Sequence, residues 1–238
     1  MRHLIKAATA VSALGLAACA TTTAPETYDY TGFRTEAPAS VLVLPAHNNT
    51  LNVNAPDYFL STLSRPIGER GYYVFPAHMV KRTLEDNGLA DTGMLYGADT
   101  RRLGGLFGCD TALYVSIERW ESQYAVIATS TNVSFDYELR SCESGETLWS
   151  HTEAMSYSPQ ADSTGNVWAD LLAQAVVSAI EKAAPNYMPL ARQANSFALY
   201  RNGRGIPAGP YLPELYNLDA DLFPAKATTA AAEASAAP

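Results

Sequence analysis

The side chains able to do chemistry are few in this 238-residue chain and stand far apart. His47 follows the apolar run Ser40–Pro45 and sits among Asn48, Asn49 and Thr50. The carboxyl end of a buried strand is where open α/β sheets hold ligands. No carboxylate stands beside His47, so a polar loop bonding its own amides is the plainer reading. His151 and Glu153, two residues apart, would share one face of a strand and could offer two metal ligands; a solvated strand face is expected instead. Glu118, Glu121 and Asp136 could supply the paired carboxylates of glycoside hydrolysis. They alternate with core-type residues, which puts them on the solvent side of strands. The patterns Gly-x-Ser-x-Gly, His-Glu-x-x-His and Cys-x-x-Cys do not occur, and neither Gly203-Arg204-Gly205 nor Arg101–Gly105 carries the Lys-Ser/Thr of a phosphate loop. These observations predict a non-enzymatic chain with no catalytic residue, no metal and no cofactor.

Cys19 is the thiol with specific surroundings. Arg2 and Lys6 precede an uncharged run from Ala7 to Ala18, which closes on Leu16-Ala17-Ala18-Cys19. A charged start, a short apolar middle and small residues at a cut are the order of a secretory signal. With a cysteine directly after them, the segment resembles a bacterial lipobox. That resemblance implies that residues 1–18 are removed, the Cys19 thiol is diacylated and its new amino group acylated. The apolar stretch is short of the roughly 20 residues that span a bilayer. At roughly 0.8 kcal/mol per buried methylene one acyl chain holds a protein marginally, and three hold it lastingly. In the sorting pattern that goes with the lipobox, Asp after the cysteine retains a protein at the inner membrane. Ala20 stands there, so the expectation is the outer membrane, facing the periplasm.

Losing residues 1–18 removes Arg2 and Lys6 and no acid, leaving 14 Lys and Arg against 24 Asp and Glu, a net charge of −10. This argues against nucleic acid, which needs clustered cations, and leaves membrane attachment to the lipid. A hydrophobic share of 47% with 17% charged residues describes a filled globular domain. Its size suggests one domain whose core stands without staples. Cys109 and Cys142 would face an oxidising compartment, so a single disulfide is one reading. Two separate buried thiols is the other and the preferred one, because one pair makes no framework.

Which elements position these residues follows from periodicity. Residues 19–39 read as a lipidated cysteine and flexible tether, and 225–238 as a disordered Ala-rich tail. Ser40–Pro45 predicts a strand buried on both faces. Asp57–Gly71 predicts a helix through Phe59, Leu60, Leu63 and Ile67, which Pro66 should bend or break. Tyr72–Pro76 reads as a strand, Ala77–Asn87 as a helix and Asp99–Phe107 as a weaker helical turn. The period then becomes two in Ala112–Trp120, Asn132–Arg140 and Glu146–Ser156. A long helix over 166–183, a shorter one to Leu199 and a Pro- and Tyr-rich extension over 201–224 follow. The prediction is an α/β domain over 40–200 with a single mixed sheet, β-α-β-α then an antiparallel meander, covered by helices. In the extension, Tyr211 and Tyr216 are candidate partner contacts, since tyrosine suits surfaces half wet and half buried. The slightly preferred reading is that Pro207–Leu218 simply wraps back onto its own domain.

Ser40–Pro45, Asn48-Asn49, Leu60–Val80, Phe107–Trp120 and Ser144–Trp149 resemble a family of bacterial lipoproteins of unknown function typified by a meningococcal genome-derived vaccine antigen. Gly71–Pro76 and Phe107–Tyr114 carry most of the resemblance, which extends over roughly Ser40 to Tyr187. It implies a fold similar to the amino-terminal domain of TolB, with related domains in LpoB and CsgG. It also implies a homodimer and a part in an envelope assembly or transport system, with a CsgG-like lipoprotein as one partner. An LpoB-like activator of peptidoglycan synthesis is the alternative, and an envelope hydrolase a more distant one. The chain departs from the family at Cys109, where alanine is expected, and in its longer carboxyl end.

Overall fold

The computed structural model describes residues 28–125, 128–157 and 188–225. The signal segment, Cys19, the helix expected over 166–183 and the tail beyond 225 lie outside the described residues. Along the chain the elements are α1 (Thr31–Glu36), β1 (Ser40–Val43), β2 (His47–Asn48), α2 (Ala55–Glu69), β3 (Tyr73–Val74), α3 (Ala77–Asp86), α4 (Thr92–Gly97) and α5 (Arg101–Phe107). The long strands β4 (Thr111–Ala125), β5 (Ala128–Ser141) and β6 (Thr147–Tyr157) follow, then α6 (Met188–Tyr200) and the single turn α7 (Pro213–Tyr216).

One mixed sheet runs in the order β3-β1-β4-β5-β6, with β2 paired to β4. β1 lies parallel to both β3 and β4, whereas β4, β5 and β6 form an antiparallel meander. All four residues of β1 are buried, because helices cover both sides of the sheet at this strand. On one side α2 and α6 close a large core around Val41, Val43, Phe59, Val115, Phe135 and Trp149. On the other, α3, α4 and α5 close a smaller one around Leu42, Leu44, Leu84, Leu103 and Tyr114. Tyr114, which alternation assigns to the polar side of β4, is therefore buried in this second core.

The period-two pattern of β4 breaks after Ile117, where the register with β5 shifts. An extra residue in one strand moves the next side chains to the opposite face, and this bulge at Glu118 is what brings Trp120 inside.

Pro66 neither breaks nor ends α2, contrary to the expectation. A helix-interior proline removes one N–H bond. Here that loss falls in the last turn, while Pro66 itself is buried beside Leu63 and Ile67. The tether expectation is also corrected. Tyr30 and Phe33 are inside the large core, so packed residues stand as far as ten positions before Ser40.

Candidate functional site

Trp149, His151, Glu153 and Met155 occupy alternate positions of β6 and follow one another on its inner face. Glu153 is buried rather than solvated, which corrects the expected open strand face. His151 Nε2 lies 3.0 Å from Glu153 Oε2, and its ring stacks on Trp149 at 6.0 Å between centroids. Arg201, just past α6, donates to the same carboxylate oxygen at 3.1 Å. Among the described residues no three His, Cys, Asp or Glu side chains converge as metal ligands.

Beside this group a second buried chain crosses the large core. Tyr137 Oη donates to Asn195 Oδ1 at 2.8 Å, and Asn195 Nδ2 donates to Thr62 Oγ1 at 2.7 Å. Burial, followed by the nearby Glu153 carboxylate, holds the Tyr137 phenol well above its ordinary pKa. The three residues join β5, α6 and α2. A buried polar group costs little only when its partners are present, so this chain fixes how the two helices seat on the sheet. An open cleft of about 520 Å3 at the β6 edge meets Tyr28, Tyr137, Ser150, His151 and Arg204.

His47 sits at the carboxyl end of the parallel strands with Nδ1 3.1 Å from Thr92 Oγ1. Its amide donates to Tyr96 Oη. Asn48 Oδ1 accepts from both the amide and hydroxyl of Thr50, and Asn48 Nδ2 donates to Asn52 O. The loop thus bonds its own polar groups. Thr92, a residue that spacing could not connect with His47, enters through α4, whose first turn is capped by Asp91 accepting from Met94 N. Among the described residues no carboxylate hydrogen-bonds the His47 imidazole as the third group that orients a catalytic base.

The other sequence candidates stay apart. Glu118 accepts from Asn49 Nδ2, Glu121 faces Arg119 at 3.6 Å, and Asp136 accepts from Thr152 Oγ1. Cys109 and Cys142 are joined as a disulfide with their Cα atoms 6.0 Å apart, which sets aside the preferred reading of two separate thiols. Next to it, Asp110 Oδ2 accepts from the amides of Ala39 and Ser40 and from the Ser40 hydroxyl. Residues 107–114, which carry much of the resemblance, thereby fasten β1 to β4.

Spacing gave no warning of a further cluster, where residues 30–34 and 205–224 meet. Asp219 is buried and faces Arg34 at 2.8 Å and Arg70 at 3.4 Å. It also accepts from Ala208 N at 2.5 Å. Tyr30 donates its hydroxyl to Gly205 O and its amide to Pro224 O, and Tyr72 donates to Pro207 O. Gly209 packs against the backbone of Gly71, where a Cβ would fall 2.3 Å from the Gly71 carbonyl. Ile206 and Phe223 are core residues. The segment 201–225 therefore wraps onto its own domain. Within it Tyr211 is exposed and Tyr216 half-buried.

The family described as “Putative lipoprotein GNA1162-like” matches residues 28–211. The relative named “Putative lipoprotein NMB1124/NMB1162”, from Neisseria meningitidis serogroup B, is 31% identical over 219 residues, 90% of this chain and 98% of the relative. Among solved structures, lipoprotein GNA1162 from Neisseria meningitidis is similar with a TM-score of 0.50 and 29% identity, over 63% of this chain and 100% of that one. The LpoB C-terminal domain from Salmonella enterica gives a TM-score of 0.34 at 18% identity, over 53% of this chain and 92% of that one.

Proposed function

The chain belongs to the GNA1162-like lipoprotein family, and from that premise we propose that it works by placement rather than by reaction. It is a lipid-anchored, non-enzymatic accessory subunit that holds a protein partner at the periplasmic side of the outer membrane. The observation that carries this reading is Leu16-Ala17-Ala18-Cys19 at the head of a chain from a lipoprotein family. Acyl chains on Cys19 confine the domain to a surface, and confinement raises the effective concentration near any partner in the same membrane. The side chains with catalytic potential support it from the other direction. His151 and Glu153 are spent on each other and on Arg201, and His47 on the Thr92 hydroxyl.

Cys19→Ser tests the anchor. The variant is expected to lose palmitate labelling and to leave the membrane fraction; unchanged labelling and pelleting would end this reading. For the partner, in-cell crosslinking and mass spectrometry of wild type against Cys19→Ser is expected to recover an envelope protein only when the lipid is present. An envelope phenotype from His47→Ala with His151→Ala, at unchanged stability, would turn the reading towards an enzyme.

A further inference from the structure

Leu215, Leu218 and Leu222 are 44%, 76% and 48% exposed, an apolar ridge on a segment whose other side is core. They recur at i, i+3 and i+7 along α7 and the hydrogen-bonded turns that continue it, so they share one side. Asp219 and Phe223, on the inner side, are buried. The ridge is held rigidly: Asp219, between Leu218 and Leu222, is the residue that Arg34 and Arg70 grip.

The position of the ridge relative to the chain's entry is fixed. Tyr30 bonds Pro224 O through its amide, and its ring lies 5.2 Å from that of Phe223. Eight residues, 20–27, separate Cys19 from Tyr28. Nine peptide steps reach about 30 Å at most, so the side of the domain carrying the ridge stays within that distance of the lipid on Cys19. We propose that the Leu215, Leu218 and Leu222 ridge rests in the interfacial layer of the membrane that holds the Cys19 acyl chains, seating the domain on the bilayer by the side where its two ends meet. This rests on the reading of Cys19 as the lipidated residue.

Size and charge favour a lipid surface over a protein. Three leucines present an area within the few hundred Å2 that monomers commonly carry, well below the roughly 800 Å2 per partner of a stable protein interface. An anchored domain needs less, because the acyl chains already hold it at the surface. Residues 205–225 contain no Lys or Arg, and Glu214 and Asp221 beside the ridge are exposed. The contact is therefore apolar, not attraction to anionic headgroups.

The test uses the full lipidated protein in phosphatidylcholine vesicles, labelled with an environment-sensitive fluorophore at Leu218→Cys or, on the opposite layer, at Glu85→Cys. Shallow spin-labelled lipids are expected to quench the first label about threefold or more over the second, as for groups some 5–10 Å into the interface. Adding serines at Leu215 and Leu222 is expected to bring the quenching at position 218 down to the level of the control at an unchanged melting temperature. Replacing roughly one lipid molecule in three with phosphatidylglycerol should not raise it. Equal quenching at both positions with palmitate present on Cys19 would overturn this proposal alone. A concentration-dependent shift at Leu218→Cys without quencher would assign the ridge to a second copy and overturn it as well. Absence of palmitate on Cys19 would remove the anchor and this proposal together.

Discussion

The joint between the chain's two ends and the joint between Cys109 and Cys142 close opposite sides of one sheet by different physics. The first links residues 149 and 185 positions apart, through Arg70 and Arg34 on the buried Asp219. Around it Tyr30, Phe33, Ile206 and Phe223 enter the large core. The second spans 33 positions and is covalent, in a core built mostly from the local run α3 to β4. The difference follows from what each side can bury. The large core gains enough apolar area to hold distant segments by packing, with the ion cluster selecting how they cross. The small core has fewer side chains to bury, and a covalent tie restricts its unfolded state instead. One consequence is that 40–200 is not a separable unit. The segments before and after it supply core residues.

Asp219→Ala should show the largest effect, because it leaves two largely buried guanidinium groups without their carboxylate and the Ala208 amide without its acceptor. Removing one member of a buried ion cluster costs about 3–5 kcal/mol. Arg82→Ala, on the exposed pair with Asp86, should cost no more than about 0.5 kcal/mol. Urea midpoints measure both, and equal midpoints would mean that packing alone holds the ends together. Replacing Cys109 and Cys142 by alanine comes next, at about 2–4 kcal/mol for a loop of this length. Because the two joints lie on opposite faces, the combined variant should be additive to within about 0.5 kcal/mol. A larger deviation would show that the joints act as one.

How much of this was legible in the sequence depended on whether a signal was local. Ser40–Val43 reads correctly because the consecutive apolar residues Val41, Leu42, Val43 and Leu44 fit a strand covered on both faces. The meander reads correctly because its alternation persists. Continuing that alternation from Trp149 places His151 and Glu153 inside, whereas their polarity alone suggests a solvated face. Tyr30 and Phe33 gave no period, being single aromatics in a polar stretch, so the segment read as tether. The grip of Arg34 and Arg70 on Asp219 was not legible at all, since charges so far apart carry no spacing. Cys109 and Cys142 were visible as a pair but not as neighbours, because their approach depends on α5 turning back onto the end of β5. There Gly104 packs where a Cβ would meet the Cys142 carbonyl at 2.5 Å.

The buried chain Thr62–Asn195–Tyr137 sharpens the comparison on the side of the large core. Asn195→Ala removes both of its side-chain bonds and leaves the Tyr137 hydroxyl without its acceptor in a buried site. An unsatisfied buried group costs about 1–3 kcal/mol, so the loss should fall below that of Asp219→Ala. Asn195→Leu, which fills the space without restoring an acceptor, separates packing from bonding. Equal stability of the two variants would mean that the lost hydrogen bonds dominate.

The smallest effect, and the one tied to pH, belongs to Tyr200 at the end of α6. Burial first, then its hydrogen bond to Glu69, pushes its phenol from 10.0 up to about 12. A group whose folded pKa is raised contributes its stability below the unfolded pKa and loses it as pH rises towards the folded one. The window is therefore pH 10.0 to about 12. Tyr200→Phe should lower stability slightly at pH 8, where the phenol is neutral in both states and its bond to Glu69 is intact. The gap between wild type and variant should then narrow above pH 10, because only the wild type has this phenol to ionise on unfolding. Since the side chain is half-buried and its partner Glu69 is exposed, solvent screening keeps the effect small, and urea midpoints at pH 8 and 11 suffice to read it. A gap that widens with pH would show that the Glu69 contact does not hold the phenol protonated.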